Sequence, residues 1–225
     1  MTIKNESLIS VILSVKNDEK NIEKSIRSIL NQTYSDIELL LCDDCSTDNT
    51  LKVIENISDK RIKLYQNQTN LGLTKSLNKL IQSANGNYIA RQDSDDYSYP
   101  KRIEKQFEFL KKYELDACNT RAKITNTNKS IPNISSYFPP RLIMKFKNPF
   151  LHGTLFIKKE VLYAVGLYNE NYKYAQDYKL YKDLFANNYK IKMLREVLYT
   201  LNTEDNISTN FKKEQEYYFN LAKKS

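Results

Sequence analysis

Apolar positions along the first half of the chain fall into two alternating periods. Leu8 to Val15 (LISVILSV) is a short β-branched run, the pattern of a strand buried on both faces. After the helix-entry residues Asn17 and Asp18, Ile22, Ile26, Ile29 and Leu30 recur at i, i+4, i+7 and i+8, one apolar helical stripe. Ile37 to Cys42 predicts a second strand, Thr50 to Ile57 a second helix and Ile62 to Tyr65 a third strand. Leu73, Leu77, Leu80 and Ile81 repeat the helical stripe, and Gly86-Asn87 turns the chain into a fourth strand, Tyr88 to Gln92. Beyond it, Pro100 suits a first helical position, with Ile103, Phe107 and Leu110 on one face. Ala117 to Ile124 and Leu155 to Ile157 read as strands, and Asp177 to about Phe185 as a helix. Thr125 to Pro140 is polar, holds three of the five prolines and predicts a loop or lid. The tail after Asn202 reads as a surface helix or a partly disordered segment.

Strand-helix alternation of this kind predicts an α/β fold with a mostly parallel sheet flanked by helices, because parallel neighbours need crossover connections. Ligands of such sheets sit beyond the carboxyl ends of the strands. Three strands here run straight into polar residues: Ser14-Val15-Lys16-Asn17, Asp43-Asp44 and Asp93-Ser94-Asp95-Asp96. The two acidic groups should therefore face one crevice.

Length and composition narrow the class. The 225 residues fit one domain, and 40% hydrophobic content is that of a globular protein rather than a disordered one. No apolar run is long enough to span a bilayer. A polar start, Met1 to Leu8, and three cysteines imply a reducing, cytoplasmic location. The net charge of +8 favours anionic partners, although the lysines are spread along the chain and AT-biased coding would produce the same excess.

The acidic groups carry the candidate chemistry. In an extended segment Asp93 and Asp95 point to one side and can converge on one cation. Two carboxylates suit Mg²⁺ or Mn²⁺, with diphosphate oxygens and water completing the shell; such an ion neutralises charge on a departing diphosphate. A solvated acidic turn gives the same three-residue pattern. At the end of the second strand, Asp44 can accept from a base N–H or ribose hydroxyls, or it can cap the following helix; Ser46 and Asp48 are better placed as caps, leaving Asp44 for a ligand.

Read together, Ser10 to Asn17, the stretch SILNQTYSDIELLLCDDCSTDNT, NLGLTKSLN and GNYIARQDSDDYSYPKRIEKQ resemble the donor half of family 2 glycosyltransferases, in that family's order, over about residues 8–110. HGTLFIKKEVLYAVGLYNENYKYAQDYKLYKDL resembles its acceptor half. The resemblance implies a single-domain, Rossmann-like glycosyltransferase A fold, with a donor half over about 8–115, an acceptor half over about 116–200 and a tail from 201. It implies an inverting enzyme that uses Mn²⁺ or Mg²⁺ and a nucleotide-diphosphate sugar, UDP-sugar favoured. Asp44 then matches the acid on the base, and Asp93 and Asp95 the metal-and-ribose motif, with Asp96 adjacent. Asp177 in Ala175-Gln176-Asp177-Tyr178 matches the catalytic base. An alcohol needs a carboxylate to take its proton as the new bond forms; a helix N-cap is the plainer reading of Asp177 by itself. Two positions depart from the family pattern. Lys16 stands where an aromatic would stack on the base, and Gln176 replaces a glutamate, which removes a like charge beside Asp177.

Further donor-side candidates are Ser14, Lys75 in the first turn of its helix, and Arg91, either as a diphosphate partner or in a strand-end salt bridge. His152, the only histidine, lies beside the inferred acceptor region. Cys42 and Cys45 have a Cys-x-x-Cys spacing but too few companions for zinc, and Cys42 completes an apolar strand. Four glycines supply no phosphate loop of the nucleotidyltransferase kind. A basic anion-binding module is the alternative from another class, but no basic-aromatic element points to nucleic acid. The resemblance suits bacterial capsule or lipopolysaccharide synthesis on a glycan or lipid-linked acceptor. With the basic charge it also suits peripheral contact with the inner face of the plasma membrane.

Overall fold

The structure, a computed structural model, describes residues 7–203 and 211–224. Residues 1–6, within the polar start, and residues 204–210 and 225 of the tail lie outside the described residues.

The first half alternates as its periodicity predicts: β1 (Ile9–Val15), α1 (Ile22–Leu30), β2 (Ile37–Asp43), α2 (Thr50–Glu55), β3 (Ile62–Gln66), α3 (Leu73–Ser83) and β4 (Tyr88–Arg91). A two-residue strand, β5 (Tyr97–Ser98), and α4 (Arg102–Lys112) follow. The second half contains β6 (Ala117–Ile124), β7 (Ser130–Ile131), α5 (Pro140–Ile143), β8 (Phe156–Lys158), α6 (Lys159–Ala164), α7 (Gln176–Ala186), β9 (Ile191–Leu201) and α8 (Lys212–Lys224). Pro100 precedes α4 by two residues instead of opening it; its carbonyl accepts the Thr33 N–H at 2.8 Å. The predicted loop over 125–140 contains the β7 pairing with β6 and a 3₁₀ turn at Ile134–Tyr137. α6 and the eleven-residue β9 were not predicted.

One sheet runs β3-β2-β1-β4-β8-β6-β9-β5, with β7 beside β6. The strands β3, β2, β1 and β4 are parallel; β8 is antiparallel to both neighbours, and β6 and β9 are parallel. Alternate residues of β1 and β2 serve opposite faces. Ile12, Leu40 and Cys42 join one core with Leu77, Leu80 and Ile81 of α3 and Leu180, Tyr181 and Leu184 of α7. Val11, Leu13, Leu39 and Leu41 join the other with Ile22, Ile26 and Ile29 of α1 and Ile103 and Leu110 of α4. Among the described residues no helix is long and apolar enough to cross a membrane.

The chain builds outward from β1 to β2 and β3, then returns to β4 on the other side of β1. That reversal opens a crevice at the strand carboxyl ends. Val15 pairs with Asp43 and Ile12 with Arg91, so the segments after β2 and β4 flank the end of β1.

Candidate active site

At the end of β2, Asp44 is 3% exposed and takes three hydrogen bonds. Oδ1 accepts from Asn67 Nδ2 at 2.9 Å and from the Leu71 N–H at 2.8 Å; Oδ2 accepts from the Gly72 N–H at 2.8 Å. Gly72 makes this approach with φ +85°, a conformation open to glycine, and caps α3. The Asn67–Gly72 loop thus folds back onto Asp44, the acid expected to face a ligand. Its neighbour Asp43 accepts from the Ser46 N–H at 3.2 Å through Oδ2, while its buried Oδ1 has no hydrogen-bond partner among the described residues. The cap position of α2 is Asn49, without a side-chain cap bond; Asp48 just before it accepts from the Thr50 N–H at 2.9 Å, and Ser46 accepts from the Asn17 N–H. Ser14 is half-buried at the end of β1, and Lys16 and Lys75 are exposed.

The motif after β4 is a turn rather than an extended segment, with the Asp96 N–H directed to the Asp93 carbonyl at 3.4 Å. Asp93 and Asp95 are therefore not brought together by strand alternation, but by the turn. Burial and the charge of Asp93 push the Asp95 carboxyl up to about 7. Burial, Asp93 and Asp95 likewise raise Asp96, whose Oδ1 accepts from the Asn202 N–H at 2.7 Å.

Arg91 is 1% exposed and lies beneath the turn, with its guanidinium 2.5 Å from Asp93 Oδ2, so it forms the salt-bridge alternative with this carboxylate. A second arginine absent from the sequence expectations, Arg102, is fully buried. It donates to the carbonyls of Gly153 and Arg91, each at 2.9 Å, and lies over the Tyr199 ring. Burial pulls its guanidinium down to about 10. The Tyr199 hydroxyl, supplied by β9, accepts the Asp93 N–H at 3.1 Å. Gly153 fits only as glycine here: a Cβ would lie 2.5 Å from Asp93 Oδ2 and against the Tyr199 hydroxyl. The periodicity gave no sign of β9, so Tyr199 had no signal in the sequence.

On the other side, Asp177 is the second residue of α7; the cap position belongs to Ala175, in left-handed conformation at φ 51°. Asp177 is thus not the N-cap. Its Oδ2 accepts from Asn148 Nδ2 at 2.7 Å. Burial raises its carboxyl above the ordinary range, opposed by the Tyr178 N–H, the Arg91 charge and the Asn148 amide. His152 Nε2 lies 2.7 Å from the buried Tyr168 hydroxyl, and burial together with Arg91 drives its pKa well below the usual value, keeping the ring neutral. The charge of Arg91 bears on Asp93, His152 and Asp177 alike.

Among the described residues no group of three or more His, Cys, Asp or Glu gathers into a metal cage. The oxygen donors that are present suit a hard cation held by one or two carboxylates plus substrate phosphates. Crowding of Asp93 and Asp95 fits such an ion, because it favours a countercharge.

The sequence and fold agree with known proteins. A sequence model described as "Glycosyl transferase family 2" matches residues 10–166. EpsE of Bacillus subtilis (strain 168), a putative glycosyltransferase, is 35% identical over 207 residues, covering 85% of this chain and 71% of EpsE. The O-antigen biosynthesis glycosyltransferase WbnJ of Escherichia coli is 35% identical over 184 residues, covering 76% of this chain and 72% of WbnJ. The crystal structure of S. aureus TarS 1-349 in complex with UDP-GlcNAc is similar with a TM-score of 0.80 at 23% identity, over 95% of this chain and 65% of that one. That likeness shows the fold, and this chain spans about two thirds of that length. With the family model matching most of its length, the chain belongs to glycosyl transferase family 2.

Proposed function

We propose that this family 2 glycosyltransferase transfers a sugar from a nucleotide-diphosphate donor to an acceptor hydroxyl with inversion, Asp177 acting as general base. The observation that carries the proposal is the state of Asp177: in the first turn of α7, released from capping, held by Asn148 and raised by burial. A raised carboxylate is a stronger base, suited to taking a proton from a hydroxyl near neutral pH. Inversion requires the acceptor oxygen, anomeric carbon and leaving oxygen to lie in line, so the base and leaving group belong on opposite sides of the sugar. Asp177 on the acceptor half and the Asp93–Asp96 turn on the donor half suit that division, within one domain with donor half 8–115 and acceptor half 116–200.

In the donor crevice the proposed contacts are Ser14, Lys16, Asp44 and Lys75, with Asp44 also holding the loop that borders it. UDP is the favoured nucleotide, in keeping with the UDP-GlcNAc bound by TarS. Asp95, with the second oxygen of Asp93, would hold Mn²⁺ or Mg²⁺, which supplies countercharge for the diphosphate when bound. Arg91 holds Asp93 in place through its ion pair. His152, neutral and tied to Tyr168, lines the acceptor side. The relation to WbnJ supports a role in bacterial surface glycan synthesis, on a glycan or lipid-linked acceptor and at the inner membrane face.

A nucleotide-sugar panel tests this reading. Release of nucleoside diphosphate from one donor, dependent on Mn²⁺ or Mg²⁺ and abolished by chelator, is the expected result. Undiminished turnover after chelation would remove the metal role of Asp95, and retention at the anomeric centre would remove Asp177 as base.

A further inference from the structure

Between Asp116 and Glu160 the sequence contains no Asp or Glu but eight Lys and Arg. The middle of this stretch also gathers apolar surface. Of eleven large hydrophobic residues exposed among the described residues, five fall between 134 and 146: Ile134 (70%), Tyr137 (62%), Phe138 (54%), Leu142 (52%) and Phe146 (78%). Arg141, Lys145 and Lys147 are exposed among them, and none forms an ion pair among the described residues. Arg195 of β9 adds a further cation over the Tyr137 ring at 4.6 Å. Its neighbour Glu196 is paired with Lys105.

This surface connects with the candidate base at two points. The Met144 carbonyl accepts from the Tyr178 hydroxyl at 2.8 Å, and Asn148 donates to Asp177, the residue before Tyr178. Ile134 and Lys147, from the two ends of the segment, line one cavity of about 470 Å³ that Asn148 also borders. The patch therefore lies at the acceptor side of the site.

We propose that residues 134–147 form an interfacial docking surface for an anionic lipid bilayer, seating Leu142 and Phe146 among the acyl chains and Arg141, Lys145 and Lys147 against the headgroups. The inference rests on the glycosyltransferase reading for its purpose, presentation of a lipid-linked acceptor to Asp177, but not for the binding itself. Apolar side chains interleaved with cations and free of acids match the boundary between headgroup and acyl chain. A second copy of this chain is a poor occupant, because a symmetric contact would set this acid-free basic segment against itself. A purely phosphate-binding role leaves the exposed Ile134, Leu142 and Phe146 without a partner.

Sedimentation of the full chain with phosphatidylglycerol/phosphatidylcholine vesicles, against pure phosphatidylcholine, tests the proposal. Binding to the anionic vesicles alone, weakening with salt, is expected. Each cation near an anionic leaflet strengthens binding about fivefold, so R141Q/K145Q/K147Q should weaken it roughly a hundredfold. L142S/F146S should lose it by at least tenfold, with the melting temperature and UDP affinity of wild type, since both side chains are exposed. Failure of the wild type to sediment would overturn the proposal, as would unchanged binding by L142S/F146S. A concentration-dependent dimer abolished by L142S/F146S would replace the bilayer with a second copy. Vesicle binding that persists when no nucleotide sugar is turned over would reject the catalytic reading and leave the docking surface intact.

Discussion

The Asn148 side-chain amide donates a 2.7 Å hydrogen bond to Asp177 Oδ2, joining the segment before the HGT turn to the first turn of α7. This bond favours the ionised carboxylate, while burial favours the neutral acid, and burial prevails. The acid must lose its proton to act as base, so activity should rise with pH through a pKa above the ordinary Asp value. Removing the amide in N148A withdraws a hydrogen bond that lowers the pKa. The acidic limb of kcat/KM should then move to higher pH, with donor affinity unchanged; an unmoved limb would separate Asn148 from the base.

Tyr199 and Gly153 hold Asp93 in place. Y199F leaves the Asp93 N–H without its hydroxyl acceptor, which costs about 1–3 kcal/mol for a buried donor. G153A places a methyl 2.5 Å from Asp93 Oδ2, and overpacking of this kind costs about 1–3 kcal/mol. Both variants should lower the melting temperature and weaken metal-supported turnover, G153A more strongly because it displaces the carboxylate itself. Wild-type metal dependence in G153A would contradict the placement of Asp93 in the site.

The Asp44 carboxylate receives two backbone N–H groups and the Asn67 amide. D44N replaces one acceptor oxygen with a donor facing donors, at a cost of about 2–3 kcal/mol. The change should raise the donor KM by loosening the Asn67–Gly72 loop, visible as faster hydrogen exchange at Leu71 and Gly72. Unchanged exchange would detach Asp44 from that loop.

Glu38 offers a stability test remote from the site. Burial alone would raise its carboxyl; the Lys63 ammonium, the Ser10 hydroxyl and the Asn85 amides outweigh burial and bring it down to about 2 from 4.5. A depressed pKa contributes stability that is complete above the unfolded value and is lost as pH falls through the folded one. The shift corresponds to about 3 kcal/mol. E38Q should be destabilised by up to that amount at pH 7, measured by urea unfolding. Its difference from wild type should close between about pH 4.5 and 2.

The parallel half of the sheet was legible because β1, β2 and β4 are mostly apolar and buried along nearly their whole length. β9 was not, because Lys192, Arg195 and Glu196 interrupt it and its pairing with β6 shifts register between Thr120 and Ala122. With β9 went Tyr199. The acids of the site were legible as residue types at strand ends, but their partners were not. The contacts of Asp44 with Leu71 and Gly72, and of Asp93 with Arg91 beneath it, arise from tertiary folding that no local pattern encodes. Extended geometry at Asp93–Asp95 was wrong for a physical reason: the chain must turn there to enter β5, which pairs with β9.

The most direct test of the central claim is nucleoside diphosphate release by D177N under saturating metal and the accepted donor, alongside donor affinity. A general base contributes about 10²–10⁴ in rate. A loss of at least about a hundredfold in kcat is expected, with donor affinity preserved and no acidic limb from residue 177. Turnover by D177N within about threefold of wild type would contradict that claim.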